Sequence, residues 1–175
     1  KVADEIGRNF KFDNKQKSAA VFVLEAMANS QGKNLTEYVN ETFGRQIFGR
    51  SEEIERLANL QNETFQGKAG ATRWFGRDMK AVIYAGEKGD FSTWVHELSH
   101  VYQRQLSGDL LTQAEKAFNV KNGDWHNSTY TFTNSKGKKV TYTSDEAFAY
   151  GFQDWLQTGK APNQELKNIF EKFAE

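Results

Sequence analysis

The segment His96-Glu97-Leu98-Ser99-His100 holds two of the chain's three histidines, four residues apart, with a glutamate directly after the first. On a helix this spacing sets the two imidazoles about 40° apart around the axis and about 6 Å along it, so both can address one metal ion. Glu97 follows on the neighbouring part of the same surface, where a carboxylate can take a proton from a water held by that ion. Hydrolysis with Zn²⁺ as cofactor is the chemistry such a set performs. The competing reading is a chance His-Glu-x-x-His on a solvated helix face.

The flanking residues favour the metal site. Asp90 or Ser92 can cap a helix start, and Phe91, Val95, Leu98, Tyr102 and Leu106 recur at spacings of three or four as an apolar stripe. His96, Glu97 and His100 flank that stripe. One face of the helix is thus expected to dock, and the adjacent face to open into a cleft.

Two histidines hold zinc poorly. A catalytic site has three protein ligands and a fourth position for water. The chain has no cysteine, so the third ligand is His, Asp or Glu. Glu146 is the candidate, on a helix whose Phe148, Phe152 and Trp155 can pack against the metal helix. The same residue also completes a capping box, Thr143-x-x-Glu146, which needs no metal. His126, in Asp124-Trp125-His126-Asn127, is open to three readings: alternative ligand, donor to a reaction oxyanion, or surface loop histidine. Tyr130, Tyr142 and Tyr150 compete for the donor role. Asp154, two turns beyond Glu146, is either a partner for the second nitrogen of a ligand imidazole or a solvated helix charge.

The elements around these residues alternate in type. Asp13 can cap a helix with Ala19, Phe22, Val23, Ala26 and Met27 on its apolar side, ending near Gly32. Asn34 can cap a second helix carrying Leu35, Tyr38, Val39 and Phe43, and Ser51 a third with Ile54, Leu57 and Leu60 inward. Glycines then punctuate two short runs, Ala71–Phe75 and Met79–Tyr84, joined by Gly76-Arg77-Asp78 as a hairpin turn. Ala81, Val82, Ile83 and Tyr84 form the candidate edge strand for an extended peptide, or simply part of a hairpin over the core. After the metal helix, Thr129–Thr133 and Val140–Thr143 alternate as strands. A helix from Thr143 or Ser144 to about Gln157 follows, stopped by Gly159 and Pro162, and Asn163 can cap a last one with Leu166, Ile169, Phe170 and Phe173.

Composition narrows the function further. A chain of 175 residues can bury a sizeable core, and 14 Phe, 6 Tyr and 4 Trp supply bulky material for it. Lys plus Arg equals Asp plus Glu at 23 each, so no global field favours nucleic acid or an anionic membrane as partner. No run reaches the ~18 apolar residues of a membrane span, and no secretory signal opens the chain. Cysteine catalysis and disulfides are excluded, while the compartment stays open. The chain begins at Lys1 and stops within an apparent helix at Glu175, as expected of a domain from a longer protein.

From Gly70 to Phe173 the sequence resembles the zincin metallopeptidase domains of large polyvalent proteins from phages and conjugative or other mobile elements. The resemblance is carried by Asp90-Phe91-Ser92-Thr93-Trp94-Val95-His96-Glu97-Leu98-Ser99-His100 and by Asp145-Glu146-Ala147-Phe148-Ala149. Gly159-Lys160-Ala161-Pro162-Asn163-Gln164-Glu165-Leu166 and Ile169-Phe170-Glu171-Lys172-Phe173 complete it. More distantly, Glu146-x-x-Ala149-x-x-Phe152 is similar to the ligand helix of regulatory metallopeptidases that cleave phage-type repressors. Ser99 stands where many relatives have glycine, and the interval from His100 to Glu146 is longer than in thermolysin-like enzymes.

The resemblance implies a zincin-like fold, Glu146 as third zinc ligand in the gluzincin manner, and a zinc metalloendopeptidase. It also implies a protein or peptide substrate, other domains of the parent protein as partners, and action in the cytoplasm of a bacterial host or, after delivery, in a recipient cell. The expected architecture is a single α+β domain over 1–175, helical over 1–65, with small antiparallel β-hairpins flanking the metal-binding helix in 66–175. The alternative function is a catalytically silent zinc-binding module for protein interaction.

Overall fold

The computed structural model describes residues 11–43, 70–75, 80–85, 90–133, 136–159 and 164–171. It is a mixed α+β structure with two separate two-stranded antiparallel sheets among those residues. The chain divides into two compact units, Lys1–Leu98 and Ser99–Glu175, and the division falls inside one continuous helix. The expected Ser51 helix, the Gly76-Arg77-Asp78 turn, Pro162, Asn163 and Phe173 lie outside the described residues.

In the first unit, helix α1 (Asn14–Ser30) starts on Asp13, whose carboxylate accepts from the Gln16 amide while the Gln16 side chain accepts from the Asp13 N–H. Its buried residues are Ala20, Val23, Leu24, Met27 and Ala28. This face sits one residue, or about 100°, from the expected Ala19, Phe22, Val23, Ala26 and Met27 side. Phe22 is 65 % exposed. The run Ala19–Leu24 is entirely apolar, so periodicity alone offers two stripes and tertiary packing selects one. Helix α2 (Leu35–Thr42) is capped by Asn34 through the Glu37 amide and buries Tyr38 and Val39.

Strands β1 (Gly70–Phe75) and β2 (Lys80–Ala85) pair antiparallel, with Thr72 opposite Ile83 and Trp74 opposite Ala81. On its other side β2 meets Phe43 in a parallel bridge at Ala81. The expected edge strand is therefore partly covered. Among the described residues the pairing of β1 is with β2.

Helix α3 (Phe91–Arg104) carries the histidine motif. Asp90 caps it: its carboxylate accepts from the Thr93 amide at 3.0 Å, and the Trp94 amide closes the first turn on the Asp90 carbonyl. Trp94, Val95, Leu98, Ser99, Val101 and Tyr102 are buried, whereas His96, Glu97 and His100 are half-buried. The docked face is thus as the residue spacing required, with the three polar residues on its flank. Phe12 packs edge-on against Phe91 and Trp94, with ring centroids 5.0 and 5.6 Å apart.

The second unit continues with helix α4 (Gly108–Ala117), which the sequence reading did not anticipate. Strands β3 (Thr129–Thr133) and β4 (Lys139–Thr143) then form the expected second hairpin. Helix α5 (Ser144–Thr158) ends on Gly159, whose φ of 73° suits a residue without a Cβ. Helix α6 (Gln164–Glu171) closes the described chain. An aromatic cluster joins these elements: Phe148 of α5 contacts Tyr102, Phe118, Trp125, Phe152 and Phe170. No helix among the described residues is long and apolar enough to cross a membrane.

Phe148 is fully buried at the centre of this cluster. Phe148→Ala should cost about 3–5 kcal/mol in denaturant unfolding, whereas Phe22→Ala should stay within about 0.5 kcal/mol of the parent.

Candidate metal centre

His96 and His100 project from one continuous helix, so their relation follows from helix geometry and does not depend on how the two units are arranged. Glu146 meets His100 inside the second unit, where its Oε1 lies 2.6 Å from His100 Nε2. Ligand atoms of His96, His100 and Glu146 all lie within 4.8 Å of one another, and the three side chains are half-buried. This group could hold a metal ion.

Several local interactions bring Glu146 to this point. The Ser144 amide donates to the Ser128 carbonyl at 2.8 Å, and the Asp145 amide to the Trp125 carbonyl at 3.2 Å. Buried Ser144 donates its hydroxyl to the Phe118 carbonyl at 2.8 Å. The first turn of α5 is therefore sewn to the loop after α4 and to the start of β3. Tyr102 of α3 packs on Phe148 and Phe152 of α5, at 6.2 and 4.8 Å, which sets the helix bearing His100 against the helix bearing Glu146. Burial pushes the Tyr102 phenol up to about 12, so it serves as a neutral packing group.

The capping-box alternative for Glu146 is not the arrangement found. Thr143 occupies the N-cap without a side-chain bond to the helix amides. Its hydroxyl donates instead to Asp145 Oδ1 at 2.5 Å, and the Glu146 amide donates to that same oxygen at 2.9 Å. Asp145 thus caps its own helix start, and the Glu146 carboxylate reaches His100.

The remaining candidates are placed as follows. The His126 side chain is 83 % exposed and its Nδ1 lies 3.3 Å from Asp145 Oδ2, outside the three-ligand group. Tyr130 packs against Phe118 and Phe132. Tyr142 lies between Phe132 and Tyr150, and Tyr150 sits one turn after Glu146 with 38 % exposure. Asp154 lies about 12 Å along the helix from Glu146. It is exposed, its carboxyl is raised by partial desolvation, and no ligand imidazole is brought to it.

Glu97 has a neighbour that sequence reasoning missed. The hydroxyl of Thr72, a buried residue of β1, donates to Glu97 Oε1 at 2.9 Å and lies 3.2 Å from the Glu97 carbonyl oxygen. A lone threonine in a strand carries no signal of such a role; only the hairpin register and its placement against α3 reveal it.

No protein-family model, curated protein or solved structure gives a significant match to the chain. The chemistry of the site therefore rests on its own geometry.

Titration with zinc separates the two readings of Glu146. Glu146→Ala should weaken zinc binding by on the order of 100-fold or more, while Thr143→Ala should leave it nearly unchanged. Equal zinc affinity in the Glu146 variant and the parent would return Glu146 to a structural role.

Proposed function

We propose that the chain is a zinc-dependent metallopeptidase of the zincin type. The observation that supports this most is the meeting of His96, His100 and Glu146 with Glu97 beside the first ligand. Two imidazoles and a carboxylate form a catalytic zinc donor set that leaves a fourth position open. Tetrahedral bonds of about 2.0–2.2 Å place neighbouring ligand atoms about 3.3–3.6 Å apart. The three residues already lie inside a 4.8 Å envelope, so modest side-chain adjustment meets that requirement. The His100 Nε2–Glu146 Oε1 contact already brings two donor atoms to a place that a cation would share.

Zinc bound there would supply a Lewis acid that polarises a carbonyl and lowers the pKa of water towards neutrality. Glu97 accepts the proton from the attacking water as the new carbon–oxygen bond forms. It then delivers that proton to the amide nitrogen as the carbon–nitrogen bond breaks. His100 and Glu146 hold one another's orientation through their direct contact, and His96 is fixed one turn earlier on the same helix. An extended peptide would add to a strand edge of the first hairpin through main-chain pairing.

Glu97→Gln should bind zinc as the parent does and lose about 10²–10⁴-fold in kcat on a cleaved member of a mixed peptide library. Full turnover by this variant would remove Glu97 from the mechanism. Zinc bound to the parent chain without cleavage of any library member would instead favour the silent interaction module.

A further inference from the structure

We propose that Thr72 is a positioning residue for the Glu97 carboxylate, an inference that rests on the peptidase reading of the site. The Thr72 hydroxyl has one proton, and at 2.9 Å its nearer acceptor is Glu97 Oε1, with the Glu97 carbonyl oxygen at 3.2 Å. Thr72 is only 5 % exposed, so water competes little for that proton. A hydroxyl donating to a carboxylate makes a charge-assisted bond, about twice as strong as a neutral one.

The consequence is geometric. A glutamate side chain has three rotatable bonds, and on a half-exposed helix flank it would sample several rotamers. Tying Oε1 to the hairpin restricts those rotations and leaves Oε2 as the oxygen available for proton transfer. The tie is anchored at both ends: Thr72 sits within β1 in register with buried Ile83, and Glu97 lies one position from buried Leu98.

The test compares the parent chain with Thr72→Val, which keeps the shape and removes the donor, and Thr72→Ser, which keeps the donor. The expected result is a drop in kcat of about tenfold or more for Thr72→Val, with KM within about twofold and zinc content unchanged, and recovery of most of kcat in Thr72→Ser. Crystal structures of the zinc-free proteins supply a readout independent of turnover. Glu97 should hold one rotamer in the parent and in Thr72→Ser, and should leave it in Thr72→Val. Unchanged kcat, or an unchanged Glu97 rotamer, in Thr72→Val would overturn the proposal, as would equal loss of kcat in the Val and Ser variants. Should Thr72→Val fail to fold, Thr72→Ala takes its place under the same criteria. A parent chain that binds zinc and cleaves nothing would defeat the peptidase reading, while the rotamer comparison would still decide whether Thr72 holds Glu97.

Discussion

A carboxylate oxygen 2.6 Å from an imidazole nitrogen, each on a different helix, is the contact on which the rest of the site depends. His96 and His100 are related by helix geometry alone, so any helix with this motif brings two nitrogens to one region. The third donor must come from elsewhere in the chain, and it must be held there against the pull of water on an exposed carboxylate. The second unit does this with hydrophobic and polar ties together. Tyr102 against Phe148 and Phe152 sets helix on helix. The Ser144 and Asp145 amides, bound to carbonyls of the preceding loop, fix the first turn from which Glu146 projects. A half-buried acid then faces a ring nitrogen rather than bulk solvent.

The first unit supplies a different constraint. Its hairpin brings one buried hydroxyl to the glutamate that follows the first histidine. The two carboxylates of the site therefore have separate supports: Glu146 is oriented by the aromatic cluster and by helix-start hydrogen bonds, Glu97 by a strand. Under the roles proposed above, one acid would hold an ion and the other would move a proton, each kept in its own geometry.

Much of this was legible in the residues. The cap at Asp13, the cap at Asn34, both hairpins and the docked side of the histidine helix follow from turn residues and from apolar spacing. Helix α4 has Ser107 as a cap and Leu110, Leu111, Ala114 and Phe118 at helical intervals, but it is short and opens on Gly108, a poor helix former, which weakens its signal in the sequence. The buried side of α1 was displaced by one residue, since a segment apolar on most sides leaves the choice of face to its neighbours. Glu146 was ambiguous for a physical reason. A glutamate three residues after a threonine suits a helix start as readily as a metal, and the sequence does not show that the Thr143 hydroxyl goes to Asp145 and not to the Glu146 amide. Thr72 had no signature at all, because its role exists only once strand and helix are brought together.

The most direct test is diffraction from crystals grown with zinc, with data collected on both sides of the zinc absorption edge. The account predicts one strong anomalous peak about 2.0–2.2 Å from a nitrogen of His96, a nitrogen of His100 and an oxygen of Glu146. A map with no peak among those side chains, or a peak held by other residues while Glu146 stays away, would contradict it.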